Sequence, residues 1–190
     1  MSPAARNVHE VTSVRPGRGA RGRGFWWVGV PLVWLVGAGL SGLRVNLTPS
    51  EPIGLWRVHR GAPHVGDFVT LCPPLHRTYP FLDRGACPDG VMPFLKKIVA
   101  GPGAQIRVTS RGVLIDGRVL AHSAPLRIAP GYGTVLPRRL GAWRLRRGQY
   151  WTYGAGDPRL SFDSRYWGPI PRRDILRIAT PLWVWSMSHG

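Results

Sequence analysis

Residues 94–121 read FLKKIVAGPGAQIRVTSRGVLIDGRVLA. Short β-branched runs broken by Gly and Pro are strand signals. Asp116-Gly117, between GVLI and RVLA, is the two-residue turn that a tight hairpin prefers. The same texture continues outward in GLWRVHR (54–60), DFVTLCP (67–73), GQYWTYG (148–154) and DILRIATPLWVW (174–185). No long 3.6-residue periodicity follows residue 43, so residues 44–190 are expected to form one mainly β domain. Residues 121–147 are Arg-rich and aperiodic and are expected to be an irregular insertion. A chain of 190 residues is long enough for one substantial core, and it carries no internal repeat.

The opening stretch also holds Lys96 and Lys97, the only lysines in a chain with 26 Lys plus Arg. Arg keeps its proton in any protein environment, whereas a buried Lys can lose it. Strand alternation puts Phe94, Lys96 and Ile98 on one face and Leu95, Lys97 and Val99 on the other, so the two amines point opposite ways. A free lysine, with a pKa near about 10.4, is almost wholly protonated at neutral pH. Apolar walls such as Phe94, Leu95, Ile98 and Val99 can depress that value by up to about 3 to 5 units.

The other end of the chain differs in kind. Residues 1–24 are polar, with five Arg and one Glu, and are expected to be a disordered cytoplasmic head. FWWVGVPLVWLVGAGLSGL, residues 25–43, carries no charge. As a helix it would span roughly 28 Å, close to the hydrocarbon thickness of a bilayer. It is longer than the apolar core of a signal peptide and lacks a clear A-x-A site, so an uncleaved transmembrane anchor is expected. The basic head would stay in the cytoplasm, placing the β domain on the outer face, although Arg44, Arg57 and Arg60 follow the span. In an oxidising compartment Cys72 and Cys87 would be able to close a disulfide; otherwise they are two free thiols.

A formal net charge of +17 suggests attraction to anionic lipid or nucleic acid, and charge alone does not choose between them. No metal is expected: Cys72 and Cys87 are 15 residues apart and the six His show no H-x-x-x-H spacing. GRGARGRG lacks the preceding strand of a phosphate loop, and there is no G-x-S-x-G elbow. A Ser-Lys arrangement remains, with Ser50 in NLTPSEPIGLWRV as the candidate nucleophile. Pro49 and Pro52 bracket it and keep its backbone out of a helix.

Three segments carry a resemblance. LTPSEPIGLWRV, FLKKIVAGPGAQIRV and GDPRLSFDSRYWGPIPRRDILRIATPLW are similar, in order and spacing, to the motif blocks of type I signal peptidases, above all the TraF branch of conjugative-transfer signal peptidases. The likeness covers residues 44–184, and residues 25–43 match the single membrane anchor of that family. It implies a signal-peptidase-like β domain behind a transmembrane helix, in the bacterial inner membrane and facing the periplasm. It implies Ser50 as nucleophile and Lys96, six residues before Pro102-Gly103, as general base. Thr48 matches a hydroxyl that assists the Ser50 N–H in an oxyanion hole. Ser161 matches a serine that orients the lysine, and Asp163 and Arg165 match a supporting ion pair.

The implied activity is endoproteolysis of exported precursors, such as a pilin-like subunit, through an acyl-enzyme that water or a peptide amine resolves. No cofactor is implied. The partners would be the precursor and membrane lipid, with no specific nucleic acid. Ser50 lies seven residues past Leu43, so even an extended chain keeps it within about 25 Å of the bilayer edge. Trp56, Trp183 and Trp185 could meet that interface or serve as core residues. Two positions depart from the pattern. Glu51 stands where Met is common, and because an inward carboxylate would hold Lys96 protonated, it is expected to face outward. GAGDPRL replaces a longer loop leading into the third block. The alternative is a non-catalytic cationic membrane protein that binds nucleic acid or acidic partners.

Overall fold

In FLKKIVA the inward positions are Lys96, Ile98 and Ala100, all buried, and the residues between them are half-buried. This alternation makes Phe94–Ala100 a central strand. The computed structural model describes residues 42–75 and 77–185. The expected head, residues 1–24, and the expected anchor as far as residue 41 lie outside the described residues. Leu43, the last position assigned to that anchor, instead opens a strand. Among the described residues no helix is long and apolar enough to cross a membrane.

Among the described residues eleven strands follow in chain order: β1 Leu43–Asn46, β2 Ile53–His59, β3 Phe68–Leu71, β4 Phe94–Ala100, β5 Gln105–Thr109, β6 Gly112–Ile115, β7 Arg118–Val119, β8 Gly141–Arg144, β9 Gln149–Tyr153, β10 Ile170–Pro171 and β11 Ile175–Trp185. A short helix, α1 Ser164–Trp167, precedes β10. A seven-stranded sheet runs β1-β2-β11-β3-β4-β9-β10 and a four-stranded sheet runs β7-β6-β5-β8. Their pairings are antiparallel. The described part is therefore mainly β.

Each sheet has an apolar cluster. Val69, Leu71, Ile98, Tyr166, Ile175 and Ile178 belong to the first, and Ala100, Ile106, Val108, Val113, Leu145 and Trp151 to the second. Strand β4 contributes to both, and its register against β9 slips between Ile98 and Ala100. Fully buried Val69 and Ile98 each contribute about 1.5–3 kcal/mol of transfer free energy. The β6–β7 hairpin turns at Asp116 (φ 49°) and Gly117 (φ 80°), with Ile115 paired to Arg118. Two successive left-handed residues are what a type I′ turn demands, and Gly meets that demand without a Cβ clash.

Cys72, just past β3, and Cys87 are joined by a disulfide with Cα atoms 5.5 Å apart. Closing a loop of that size stabilises by about 3 kcal/mol on the chain-entropy model.

Two features depart from the sequence reading, and a third settles an alternative that it left open. Strands β1, β8 and β10 are additional, because two-to-four-residue segments carry too little periodicity to stand out. Residues 121–147 are mostly irregular, yet Gly141–Arg144 forms an edge strand on β5, and Ala129, Leu136 and Leu145 are buried. The segment is built into the domain. Trp56 is a core residue, packed edge-on to Phe68 with ring centroids 4.9 Å apart. By contrast, Trp183 and Trp185 are 65% and 53% exposed.

Candidate active site

Ser50 sits in the turn between β1 and β2, and two separate devices shape that turn. Asn46 is the first. Its Nδ2 donates to the carbonyls of Thr48, Glu51 and Pro52 at 3.0, 3.1 and 3.0 Å, while its Oδ1 accepts from Thr48 N and Thr48 Oγ1. The second is the segment after β9. Gly156 N donates to the Ser50 carbonyl at 3.1 Å, Asp157 N to the Pro49 carbonyl at 2.8 Å, and Ala155 N to Glu51 Oε2 at 3.0 Å. Only glycine allows this approach: a Cβ at Gly156 would overlap the Pro49 carbonyl oxygen, and one at Gly154 would overlap the Ser161 side chain.

Lys96 reaches the serine from β4. Its Nζ donates to Ser50 Oγ at 2.8 Å, and the lysine is only 2% exposed. Burial drives its pKa below the ordinary lysine value, against the opposing pull of Glu51 and Asp163. A neutral amine at the same distance would accept the serine proton instead. Lys97, on the opposite face of the strand, lies over the Phe68 ring at 5.5 Å.

Glu51 does not face outward. It is 0% exposed, and its Oε1 lies 3.9 Å from Lys96 Nζ. Burial, only partly offset by Lys96, pushes its pKa up to about 8. The local reason is the turn itself. With Asn46 and the 154–157 segment fixing the backbone on both sides, the side chain that follows Ser50 is directed into the domain beside the lysine.

The third block builds the floor. Asp163 caps α1, and its carboxylate accepts from Gly154 N, Ser161 Oγ and the Arg165 backbone, Nε and Nη2 groups at 2.8 to 3.2 Å. Arg165 donates further to the carbonyls of Pro158 and Ser161. The hydroxyl of Ser161 is thus spent on Asp163, and that of Thr48 on Asn46 at 2.7 Å, in an exposed position. For Thr48 to serve an oxyanion, its hydroxyl must turn from Asn46. Among the described residues no acceptor engages the Ser50 N–H. No cluster of three or more His, Cys, Asp or Glu among them is arranged to hold a metal ion.

The structure therefore brings Ser50 and Lys96 into contact, sets Ser161, Asp163 and Arg165 beneath them, and leaves Thr48 at the rim. Asn46, Ala155 and Gly156 escaped the sequence reading, although the Gly-Ala-Gly of the lead into the third block was a visible sign of close backbone approach.

The chain belongs to the signal peptidase family, peptidase S26, which matches residues 33–184. The conjugal transfer protein TraF of Agrobacterium fabrum is 34% identical over 179 residues, covering 84% of this chain and 95% of its own. That of Agrobacterium tumefaciens strain 15955 is 33% identical over 159 residues, covering 76% and 84%. A solved signal peptidase I from Enterococcus faecalis V583 aligns with 63% of this chain and 98% of its own at 16% identity and a TM-score of 0.37, a likeness too partial to carry any inference.

Proposed function

We propose that this chain is a membrane-anchored serine endopeptidase of conjugative transfer that processes an exported precursor with Ser50 as nucleophile and Lys96 as base. The observation that carries this reading is the 2.8 Å contact between Ser50 Oγ and an amine that burial drives toward its neutral form. Lys96 Nζ takes the Ser50 proton as Oγ bonds to the scissile carbonyl carbon and the carbonyl π pair moves onto oxygen. The Ser50 N–H, and Thr48 Oγ1 once turned from Asn46, meet the oxyanion; one such donor is typically worth about 3 to 4 kcal/mol. Collapse breaks the C–N bond, and the Lys96 ammonium passes its proton to the leaving amine. Neutral Lys96 then takes a proton from water, or from a peptide amine if the product is cyclic, as that nucleophile attacks the ester carbonyl; the ester C–O bond breaks, and Lys96 passes this proton to Ser50 Oγ.

Relatives named for conjugal transfer support the setting, and a pilin-like precursor is the substrate that setting favours. The Cys72–Cys87 disulfide favours an oxidising compartment, in keeping with a periplasmic domain behind an inner-membrane anchor. Trp183 lies in register with Leu55, and Leu55 with Val45, so exposed apolar side chains gather on the strands flanking the Ser50 turn, suited to a lipid interface.

The test is co-expression with candidate precursors, with termini read by mass spectrometry. Ser50→Ala and Lys96→Arg are each expected to abolish processing, by about 10³-fold or more. Processing that survives Lys96→Arg would exclude Lys96 as the base, because guanidinium stays charged. A non-catalytic cationic binder would tolerate both substitutions and lose its partner steeply with salt.

A further inference from the structure

The Ser50–Lys96 pair has a buried neighbour that the proposed mechanism leaves unused. Glu51 is fully buried next to the nucleophile. One carboxyl oxygen, Oε2, is held by Ala155 N–H at 3.0 Å, which fixes where the other points. That other oxygen, Oε1, is buried, has no hydrogen-bond partner among the described residues, and lies 3.9 Å from Lys96 Nζ. A polar atom left without a partner in a dry site is costly unless the site uses it. The other charged groups around it are already committed. Asp163 and Arg165 neutralise each other at 2.8 Å, and buried Asp157 pairs with exposed Arg159 at 3.2 Å. Tyr153 on β9 donates its hydroxyl to the Ala121 carbonyl. The Lys97 backbone N–H also favours the charged carboxyl, and Lys96 is the charged group that Oε1 faces, at 3.9 Å.

We propose that Glu51 is a third ionisable member of this site, a positioning residue whose carboxyl supplies the counter-charge to the ammonium formed when Lys96 takes the serine proton. The proposal rests on the Ser50–Lys96 reading above. Burial alone would make the amine available but feeble, since it disfavours the ammonium wherever the proton comes from. An ionisable carboxyl at 3.9 Å restores proton affinity when it is charged and withdraws that support when it is neutral. The two groups therefore titrate as a coupled pair whose protons leave in two steps. Burial moves Glu51 up to about 8 and Lys96 down from the ordinary lysine range, so the two steps approach each other. The proton balance of the reaction is unchanged: the serine proton still goes to Nζ and then to the leaving amine.

Having only two lysines makes a direct test available. Full-length protein in detergent micelles, labelled with ¹³C at lysine Cε, gives one signal from Lys96 and one from Lys97. Lys96→Arg removes the first and so assigns it. In the wild type the Lys96 signal is expected to show two inflections with pH. In Glu51→Gln, which can still accept from Ala155 N–H, it is expected to show one, lower by about one unit or more. The acid limb of the kcat/KM profile for a precursor peptide should move down with it. A merely structural role would lower activity without moving that limb.

A wild-type signal with a single inflection, or a midpoint unmoved in Glu51→Gln, overturns the proposal; the wild-type titration decides even if the variant does not fold. In that outcome a Lys96 signal still titrating below free lysine leaves the Ser50–Lys96 reading standing. A Lys96 that titrates like free lysine in both proteins sinks that reading as well.

Discussion

Two acidic side chains at this site, Glu51 and Asp163, are fully buried, and the protein treats them oppositely. Asp163 accepts from Gly154, Ser161 and Arg165, and its ion pair closes to 2.8 Å. Glu51 accepts one well-formed hydrogen bond, from Ala155 N–H, with a weaker favourable influence from the Lys97 backbone N–H; its Oε1 has no hydrogen-bond partner among the described residues and stands 3.9 Å from its cation. A carboxylate with every lone pair occupied beside a permanently charged Arg has little reason to change state. One that is half-solvated by the protein, beside an amine that can lose its proton, can change state with pH. The saturated pair holds loops 154–163 in place, and the unsaturated pair is where protons can move.

The sharpest way to break the contrast is to remove the saturated carboxylate. Asp163→Ala strands a buried guanidinium and is expected to cost about 3–5 kcal/mol in urea unfolding, with activity lost along with the fold. A loss below about 1 kcal/mol would mean that Arg165 finds other support. Next in size is the clamp. Gly156→Ala sets a methyl group against the Pro49 carbonyl and is expected to cost about 1–3 kcal/mol. Activity should fall further than stability does, because the displaced atoms belong to the Ser50 turn. An activity loss matching only the unfolded fraction would show that the turn keeps its shape without the clamp.

The smallest effect sharpens the contrast on the Glu51 side. Its folded pKa is raised from 4.5 to about 8, so its contribution to stability is fully present below about pH 4.5 and is lost as the pH rises through about 8. Glu51→Gln removes that dependence. The variant's Tm relative to wild type should rise across this window, by about 2 to 4 °C for each kcal/mol in a chain of this size. Lys96 slopes the other way, since a lowered amine pKa favours folding as the pH climbs toward the unfolded value of 10.5. In Glu51→Gln the Lys96 pKa falls further, so its gain with pH begins earlier in the variant and adds to the same upward trend of the difference. A Tm difference that stays flat from pH 4 to about 8 would mean that Glu51 does not titrate in the folded state.

The contrast also separates what was legible in the sequence from what was not. FLKKIVA forms β4 over its whole length, with Lys96 inward and Lys97 on the other face, because alternation along a strand is a local property. Asp116-Gly117 turns as its residue types require. Ser50 and Lys96 were both nominated, 46 positions apart, and their side chains meet at 2.8 Å. The sequence reading faces Glu51 outward because an inward carboxylate would hold Lys96 protonated, and the residue faces in. What overrode that expectation lies about a hundred residues away: Ala155 N–H takes its carboxyl and Gly156 N–H takes the Ser50 carbonyl.

The order of residues by itself determined most of the strands, the hairpin turn, and the restriction of lysine to one pair of adjacent positions. These depend on alternation, backbone sterics and side-chain chemistry within a few neighbours. Only the tertiary structure decided that Lys96 is dry, that Asp163 is saturated and that Glu51 is not, because desolvation and hydrogen-bond supply are set by segments that meet across the fold.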